Sequence, residues 1–84
     1  MQMIVHYALT DYDQFKAAFD NDAEDRSLNG LSVLQLWREE TGDAWALFNV
    51  TDAKAARDYL DGSATVFNNQ AGVTSTDYHL VKTA

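Results

Sequence analysis

Two neighbouring apolar runs place the strongest constraint on what this chain can fold into. They are LSVLQLWREE (31–40) and DAWALFNV (43–50), each of strand length, and residues 41–42 lie between them. Glycine tolerates a positive φ, so a two-residue turn is predicted to join the runs as a β-hairpin. In that register Trp37 pairs with Ala46, and both faces of the hairpin are largely apolar. An antiparallel hairpin with one solvent-exposed face alternates apolar and polar residues instead. We therefore expect other parts of the protein or a partner to cover both faces of this hairpin.

Before the hairpin, the sequence predicts one strand followed by one helix. Residues 1–9 form a β-branched and aromatic run of strand length. Asp11 or Asp13 can cap a helix, because a short carboxylate accepts the free N–H groups of a first turn. Apolar residues then recur at helical spacing, and Asn29-Gly30 is a stop signal. The apolar stripe consists of Tyr12, Phe15, Ala18, Phe19 and Ala23.

After the hairpin, a helix and a strand are predicted again. Thr51 or Asp52 caps the second helix, which ends at residues 61–62. Ser63 can then cap one further short turn. The last strand covers residues 73–82 (VTSTDYHLVK), a run rich in strand-forming residues. The predicted order of elements is therefore β-α-β-β-α-β.

That order predicts a single ferredoxin-like domain of the α+β class over residues 1–84. Its four strands would form an antiparallel sheet with both helices on one face. The other face of the hairpin is also apolar, and a second copy of the same sheet would cover it. Sheets that pack face to face lie about 10 Å apart with interleaved side chains. We therefore expect a homodimer through the sheet face, which is a dimeric α+β barrel.

Composition argues against several classes of protein. The chain contains no cysteine, so it cannot form disulfides or cysteine-based metal sites. Its net charge is −7 with six Lys and Arg residues, so its surface should repel nucleic acid. No apolar run approaches the roughly 20 residues of a membrane span and no signal sequence is seen, so we expect a cytoplasmic protein without membrane contact. No Gly-rich phosphate loop or specific metal-ligand spacing is found, so we expect no cofactor and no metal.

Four stretches of the sequence together carry a resemblance to a known family. They are VHYALTDYDQFKAAFD (5–20), Gly30 with the hairpin after it, TDAKAARDYL (51–60) and AGV (71–73). In these stretches the chain resembles small dimeric α+β barrel proteins related to the antibiotic biosynthesis monooxygenases. Relatives with known roles include cofactor-independent monooxygenases of aromatic polyketides, polyketide cyclases and haem-degrading enzymes, which use a pocket between the sheet and the helices.

The resemblance implies a fold more strongly than a reaction, because its motifs are mostly structural. One interpretation is a cofactor-independent monooxygenase or cyclase-like enzyme that acts on a small aromatic or polyketide-type molecule. The other is a non-catalytic dimeric module that binds a small ligand or has a role in stress, since many members of the family have no assigned activity.

Two histidines are the candidates for proton transfer. His6 and His79 are the histidines of the sequence, and imidazole suits proton transfer near neutral pH. In the ferredoxin-like order the first and last strands are antiparallel neighbours, and aligning their centres places His6 opposite Tyr78 or His79. Either pairing sets a base beside a phenol or a second imidazole, as a cyclase or a cofactor-free oxygenase requires. The more ordinary interpretation is a partly buried histidine that bonds to backbone or solvent.

Four large aromatic residues could wall a pocket for a flat ligand: Trp37, Trp45, Tyr59 and Phe67. The predicted hairpin register puts the two tryptophans on opposite faces. At most one of them would then line a pocket beneath the helices, and the other would lie at the dimer interface. Aromatic residues in such positions more often belong to a plain core or interface. If aromatic side chains fill the space between helices and sheet, we expect no catalysis there.

Overall fold

Four strands and four α-helices follow one another in the order β-α-α-β-β-α-α-β. The computed structural model describes residues 1–84, apart from the side chain of Ser63, so the predicted cap by that side chain lies outside the described residues. None of the described helices is long and apolar enough to cross a membrane. The strands are β1 (Gln2–Leu9), β2 (Leu31–Arg38), β3 (Ala44–Val50) and β4 (Val73–Val81); the helices are α1 (Tyr12–Asn21), α2 (Ala23–Leu28), α3 (Ala53–Asp58) and α4 (Ala64–Ala71), with a π-helical turn (Tyr59–Ser63) between α3 and α4.

The strands form one antiparallel sheet in the order β2-β3-β1-β4. This is the ferredoxin-like order, and it confirms the predicted α+β fold with four antiparallel strands. Alternate residues of β1 and β3 point toward the helices and are buried, which leaves the other face of the sheet without a helix. We call this second surface the open face. It carries Ile4, His6, Trp37, Trp45, Leu47, Asp77 and His79.

Aromatic side chains fill the space between the helices and the sheet. Tyr7 of β1 is 2% exposed, and its ring centroid lies 5.0 Å from that of Phe15 and 6.4 Å from that of Phe67. Phe19 packs in turn on Phe48 of β3, with ring centroids 6.2 Å apart. Burial of each such ring contributes roughly 1.5–3 kcal/mol, and aromatic pairs add about 0.5–1.5 kcal/mol. This region is therefore the core of the domain and not a ligand cleft.

The turn between β2 and β3 contains three residues, 40–42, where the sequence predicted two. The N–H of Glu39 donates to the carbonyl of Asp43 at 2.8 Å, and the N–H of Gly42 donates to the carbonyl of Glu39 at 2.9 Å. Gly42 has a φ of +100°, the left-handed conformation that a three-residue hairpin loop requires at this position. The predicted two-residue turn and the predicted pairing of Trp37 with Ala46 are therefore wrong by one position.

A β-bulge in β2 changes which face its second half presents. The register shifts by one residue between Val33 and Gln35, which leaves Leu34 as an extra residue. Because side chains alternate along a strand, one extra residue moves every later side chain to the opposite face. The three-residue turn sets the pairing of the second half, so Trp37 pairs with Trp45 and both indoles lie on the open face, while the bulge keeps Val33 opposite Phe48 on the helix side. The prediction that the two tryptophans face opposite sides of the sheet is wrong for this reason.

Both helical regions begin at predicted aspartates but are less regular than predicted. Asp11 caps α1 by accepting from the N–H of Asp13 at 3.2 Å, and Asp52 caps α3 by accepting from the N–H of Ala55 at 3.0 Å. The first predicted helix is interrupted at Asp22, which ends α1 and precedes α2. The interruption places a carboxylate at the junction of two helices.

Candidate functional site

His6 lies near the centre of the open face, on the side of the sheet away from the helices. It pairs with Trp45 on β3 and with Asp77 on β4. The predicted pairing of His6 with Tyr78 or His79 is wrong, because the regular part of the β1–β4 ladder is offset from the predicted alignment by one or two residues and places Asp77 opposite His6. His6 and His79 do share one face of the sheet, but they are not directly opposite each other.

The imidazole of His6 is oriented by Asp43. The Nε2 atom of His6 lies 3.1 Å from Oδ2 of Asp43, whose Oδ1 accepts from the N–H of Leu9 at 3.1 Å. A carboxylate can only accept, so in the neutral imidazole Nε2 carries the proton and Nδ1 has the free lone pair. Nδ1 lies 4.0 Å from Oδ2 of Asp77, which is too long for a hydrogen bond. His6 therefore presents an oriented acceptor nitrogen, in the arrangement by which an aspartate supports a histidine base.

Two indoles form an aromatic wall beside this imidazole. The ring of Trp45 lies over that of His6, with centroids 4.6 Å apart and planes inclined by 34°. The Trp45 Nε1–H donates to the carboxylate of Glu39, which also accepts from the hydroxyl of Thr41 at 3.2 Å. Trp37 stands across the strand pair from Trp45 and is 47% exposed. Together the two indoles offer flat apolar surface next to a partly buried base.

The remaining predicted site residues lie elsewhere. His79 pairs with Ile4 on the open face and is exposed. Tyr78 lies on the helix side of β4, where its hydroxyl donates to the carboxylate of Asp61 at 3.1 Å. The other two, Tyr59 and Phe67, are buried in the core beneath the helices. The structure thus brings His6 together with Trp37 and Trp45, and it separates Tyr78, Tyr59 and Phe67 from them.

Sequence reasoning missed two of the acidic residues around His6, which are Asp43 and Glu39. Asp43 stands in the turn before β3, and the two-residue turn of the prediction made it part of the hairpin ladder. Asp43 lies two residues before Trp45, so strand alternation puts both on the same face. Glu39 and Asp77 become neighbours of the site through the turn and through β4. The pairing of β1 with β3 brings Asp43 to His6, and the sequence did not indicate the register of that pairing.

A second polar cluster is buried on the helix side. The side chain of Arg26 is 3% exposed, and its guanidinium carbon lies 3.7 Å from the ring centroid of Phe19. Its Nη1 is 3.6 Å from the carboxylate of Asp22, which also accepts from the hydroxyl of Tyr59. Burial lowers the pKa of Arg26, and burial followed by the bond to Asp22 raises the pKa of Tyr59. These contacts join α2 to the π-helical turn and are structural.

Two surface grooves lie away from His6. One, of about 400 Å³, lies between α1 and α4 and is lined by Ala17 and Ala18 together with polar side chains. The other, of about 300 Å³, lies between α1 and β2 and includes exposed Val33 and Leu34. Neither is lined by His6, Trp37 or Trp45. A molecule at His6 would therefore rest on the surface of the sheet.

Comparison with known proteins adds no family assignment. No protein-family model matches the sequence, and no curated protein is similar to it. The resemblance to the antibiotic biosynthesis monooxygenase group thus stays a prediction from sequence motifs. The functional argument depends on the geometry around His6.

Proposed function

We propose that the protein is a cytoplasmic, cofactor-independent enzyme of the monooxygenase or cyclase type, acting as a homodimer on a small aromatic or polyketide-like molecule. His6 is the general base that withdraws a proton from an acidic phenol or an activated carbon of that molecule. One observation carries this proposal: Asp43 holds Nε2 of His6 and leaves Nδ1 as the acceptor, beside two indoles.

The proton transfer follows from this geometry. A flat substrate rests on the indoles of Trp45 and Trp37 with its O–H or C–H directed at Nδ1 of His6. The bond to hydrogen breaks, its electron pair stays on the substrate, and the proton bonds to Nδ1. Asp43 then faces an imidazolium and stabilises its charge. A positioned base of this kind accelerates proton transfer by about 10²–10⁴-fold, and both reaction types begin with this step.

A second copy of the chain would cover the open face. Ile4, Leu47, Trp37 and Trp45 give this face an apolar centre on which no helix packs. The two longer dimensions of the chain are 31 and 27 Å, and in this two-layer fold we take them as the length and width of the sheet layer. A face of that size offers about 800 Å², which matches the area that each partner of a standard interface buries. A partner sheet would also roof the His6 site and exclude water from it.

Proton abstraction can be tested without knowledge of the natural substrate. The assay follows by NMR the exchange of the activated C–H of benzoylacetone in D₂O above the rate in buffer. His6→Gln should reduce the enzymatic rate by about 10²–10⁴-fold, and Asp43→Asn should also reduce it because Asn no longer stabilises the imidazolium. Ser75→Ala, at an exposed position on the same face, is the matched control and should keep the rate. An unchanged rate in His6→Gln would exclude His6 as the base.

The dimer is tested separately by sedimentation equilibrium at micromolar concentration. The wild-type chain should sediment as a dimer, and Leu47→Lys should sediment as a monomer because the lysine would be buried at the interface. Val66→Lys makes the same type of change at an exposed position of α4 and should remain dimeric. A wild-type monomer under these conditions would contradict the proposed assembly.

The second candidate is a non-catalytic dimeric module that binds a small ligand or has a role in stress. The filled core favours it, because the resemblance implies a pocket between sheet and helices and Phe15, Phe19 and Tyr7 occupy that space. In this case the indoles of the open face would bind a flat molecule without changing it. Binding near Trp45 with no exchange above the buffer rate would select this alternative.

A further inference from the structure

We infer that the His6 site prefers a positively charged aromatic molecule to a neutral one and rejects an anionic one; this inference rests on the proposed function. Three carboxylates from different segments surround the site. Asp43 bonds to Nε2 of His6, Asp77 faces Nδ1 at 4.0 Å, and Glu39 accepts from the indole N–H of Trp45. A molecule that lies on Trp45 and reaches Nδ1 therefore contacts two side chains that are themselves in contact with these carboxylates.

No basic side chain among the described residues compensates these charges on the open face. Four of the six basic residues belong to helices, on the other side of the sheet. Arg38 belongs to β2, but it pairs with Ala44 on the helix side, and its guanidinium carbon lies 4.5 Å from the ring centroid of Tyr12. Lys82 follows the end of β4. The net charge of −7 adds a field of the same sign over the whole molecule.

This field acts on both binding and proton transfer. A unit charge about 6 Å from one carboxylate changes affinity roughly threefold in water, and salt screens part of this effect. The faces of the two indoles also attract cations and repel anions, so their effect adds to that of the carboxylates. Removal of a proton from an ammonium-bearing substrate also lowers the positive charge in the site, whereas removal from a carboxylated phenol would add a second negative charge. The substrate is therefore an aromatic that carries no carboxylate or phosphate and is favoured when it carries an amine.

Three phenols of similar size test this preference directly. They are tyramine (cationic), 4-ethylphenol (neutral) and 4-hydroxyphenylacetate (anionic) at pH 7 and low salt. Binding is measured from NMR shifts of the Trp45 indole N–H and the His6 ring, assigned with Trp37→Phe and His79→Gln. Tyramine should bind most tightly and 4-hydroxyphenylacetate at least about tenfold more weakly, from the summed effect of the carboxylates.

Two charge variants separate the local effect from the net charge. The affinity for tyramine divided by that for 4-hydroxyphenylacetate should fall by about threefold or more in Asp77→Asn. Asp58→Asn removes the same charge from an exposed position of α3 and should leave that ratio unchanged. Equal narrowing by both variants, or anion binding as tight as cation binding, would overturn the charge preference and leave the site intact. If none of the three phenols shifts the Trp45 and His6 resonances, the proposed site itself is wrong.

Discussion

Replacement of Asp22 by Asn should destabilise the fold more than replacement of Arg26, the buried cation with which Asp22 pairs. The two residues form an ion pair in which the Arg26 side chain is 3% exposed and that of Asp22 is 19% exposed. Nη1 of Arg26 has no hydrogen-bond partner among the described residues, and the guanidinium stacks on Phe19. The Asp22 carboxylate is therefore the group that compensates the charge of the buried Arg26 guanidinium.

The magnitudes follow from what each variant leaves behind. Asp22→Asn leaves the Arg26 cation buried without an anion, a change that costs about 3–5 kcal/mol. Arg26→Met loses a cation–π contact of roughly 1–2 kcal/mol and regains a sulfur–aromatic contact of about 0.3–1.5 kcal/mol on Phe19. The Asp22 carboxylate can then turn to water, so the net cost should be near 1 kcal/mol. A domain of this size has about 4–13 kcal/mol of stability in all, so Asp22→Asn should remove a large part of it.

Urea unfolding at pH 7 measures these differences, followed by far-UV circular dichroism at one fixed protein concentration because self-association shifts apparent stability. The double variant Asp22→Asn/Arg26→Met should be about as stable as Arg26→Met alone, since the cost of the unpaired cation disappears with the cation. If Arg26→Met proves less stable than Asp22→Asn, stacking and not charge compensation holds this arginine, and the reasoning fails.

Two further predictions concern the backbone and alkaline pH. Gly72→Ala should lower the free energy of unfolding by about 1–3 kcal/mol, because φ is +70° and the new Cβ would lie 2.5 Å from Oγ1 of Thr10; Gly62→Ala, where nothing lies within 4 Å, is the control and should change it by less than about 1 kcal/mol. Above pH 10 the fold should lose stability, because burial raises the pKa of both Tyr7 and Tyr59 and the unfolded chain releases phenolic protons that the folded chain keeps. Absorbance at 295 nm recorded with circular dichroism checks this, and ionisation of both phenols near pH 10 in a fully folded protein would contradict it.

Much of the fold is encoded in signals that extend over a few residues. The alternation in β1, the capping aspartates Asp11 and Asp52 and the spacing of Phe15 and Phe19 each report a local preference. Strand order then follows from the sequence of elements, because few topologies connect such elements with short loops. For these reasons the ferredoxin-like arrangement could be predicted.

The register of the hairpin could not be predicted from the same signals. Register is pinned where one face of a strand is apolar and the other polar, but β2 and β3 are apolar on both faces. A three-residue turn and a bulge at Leu34 each move the pairing by a single residue, and neither disturbs the apolar pattern. The contact between His6 and Asp43 depends on that turn and on the β1–β3 ladder together, so it appears only in three dimensions.

The extra residue in β2 also has a genetic consequence. Because Leu34 alone interrupts the alternation of β2, an in-frame deletion of that one codon would leave a regular strand in which Val33 still pairs with Phe48 and Gln35 still pairs with Leu47. The Trp37 indole would then keep its place opposite Trp45. Among descendants of this gene, those that lack the bulge residue should therefore keep the paired indoles.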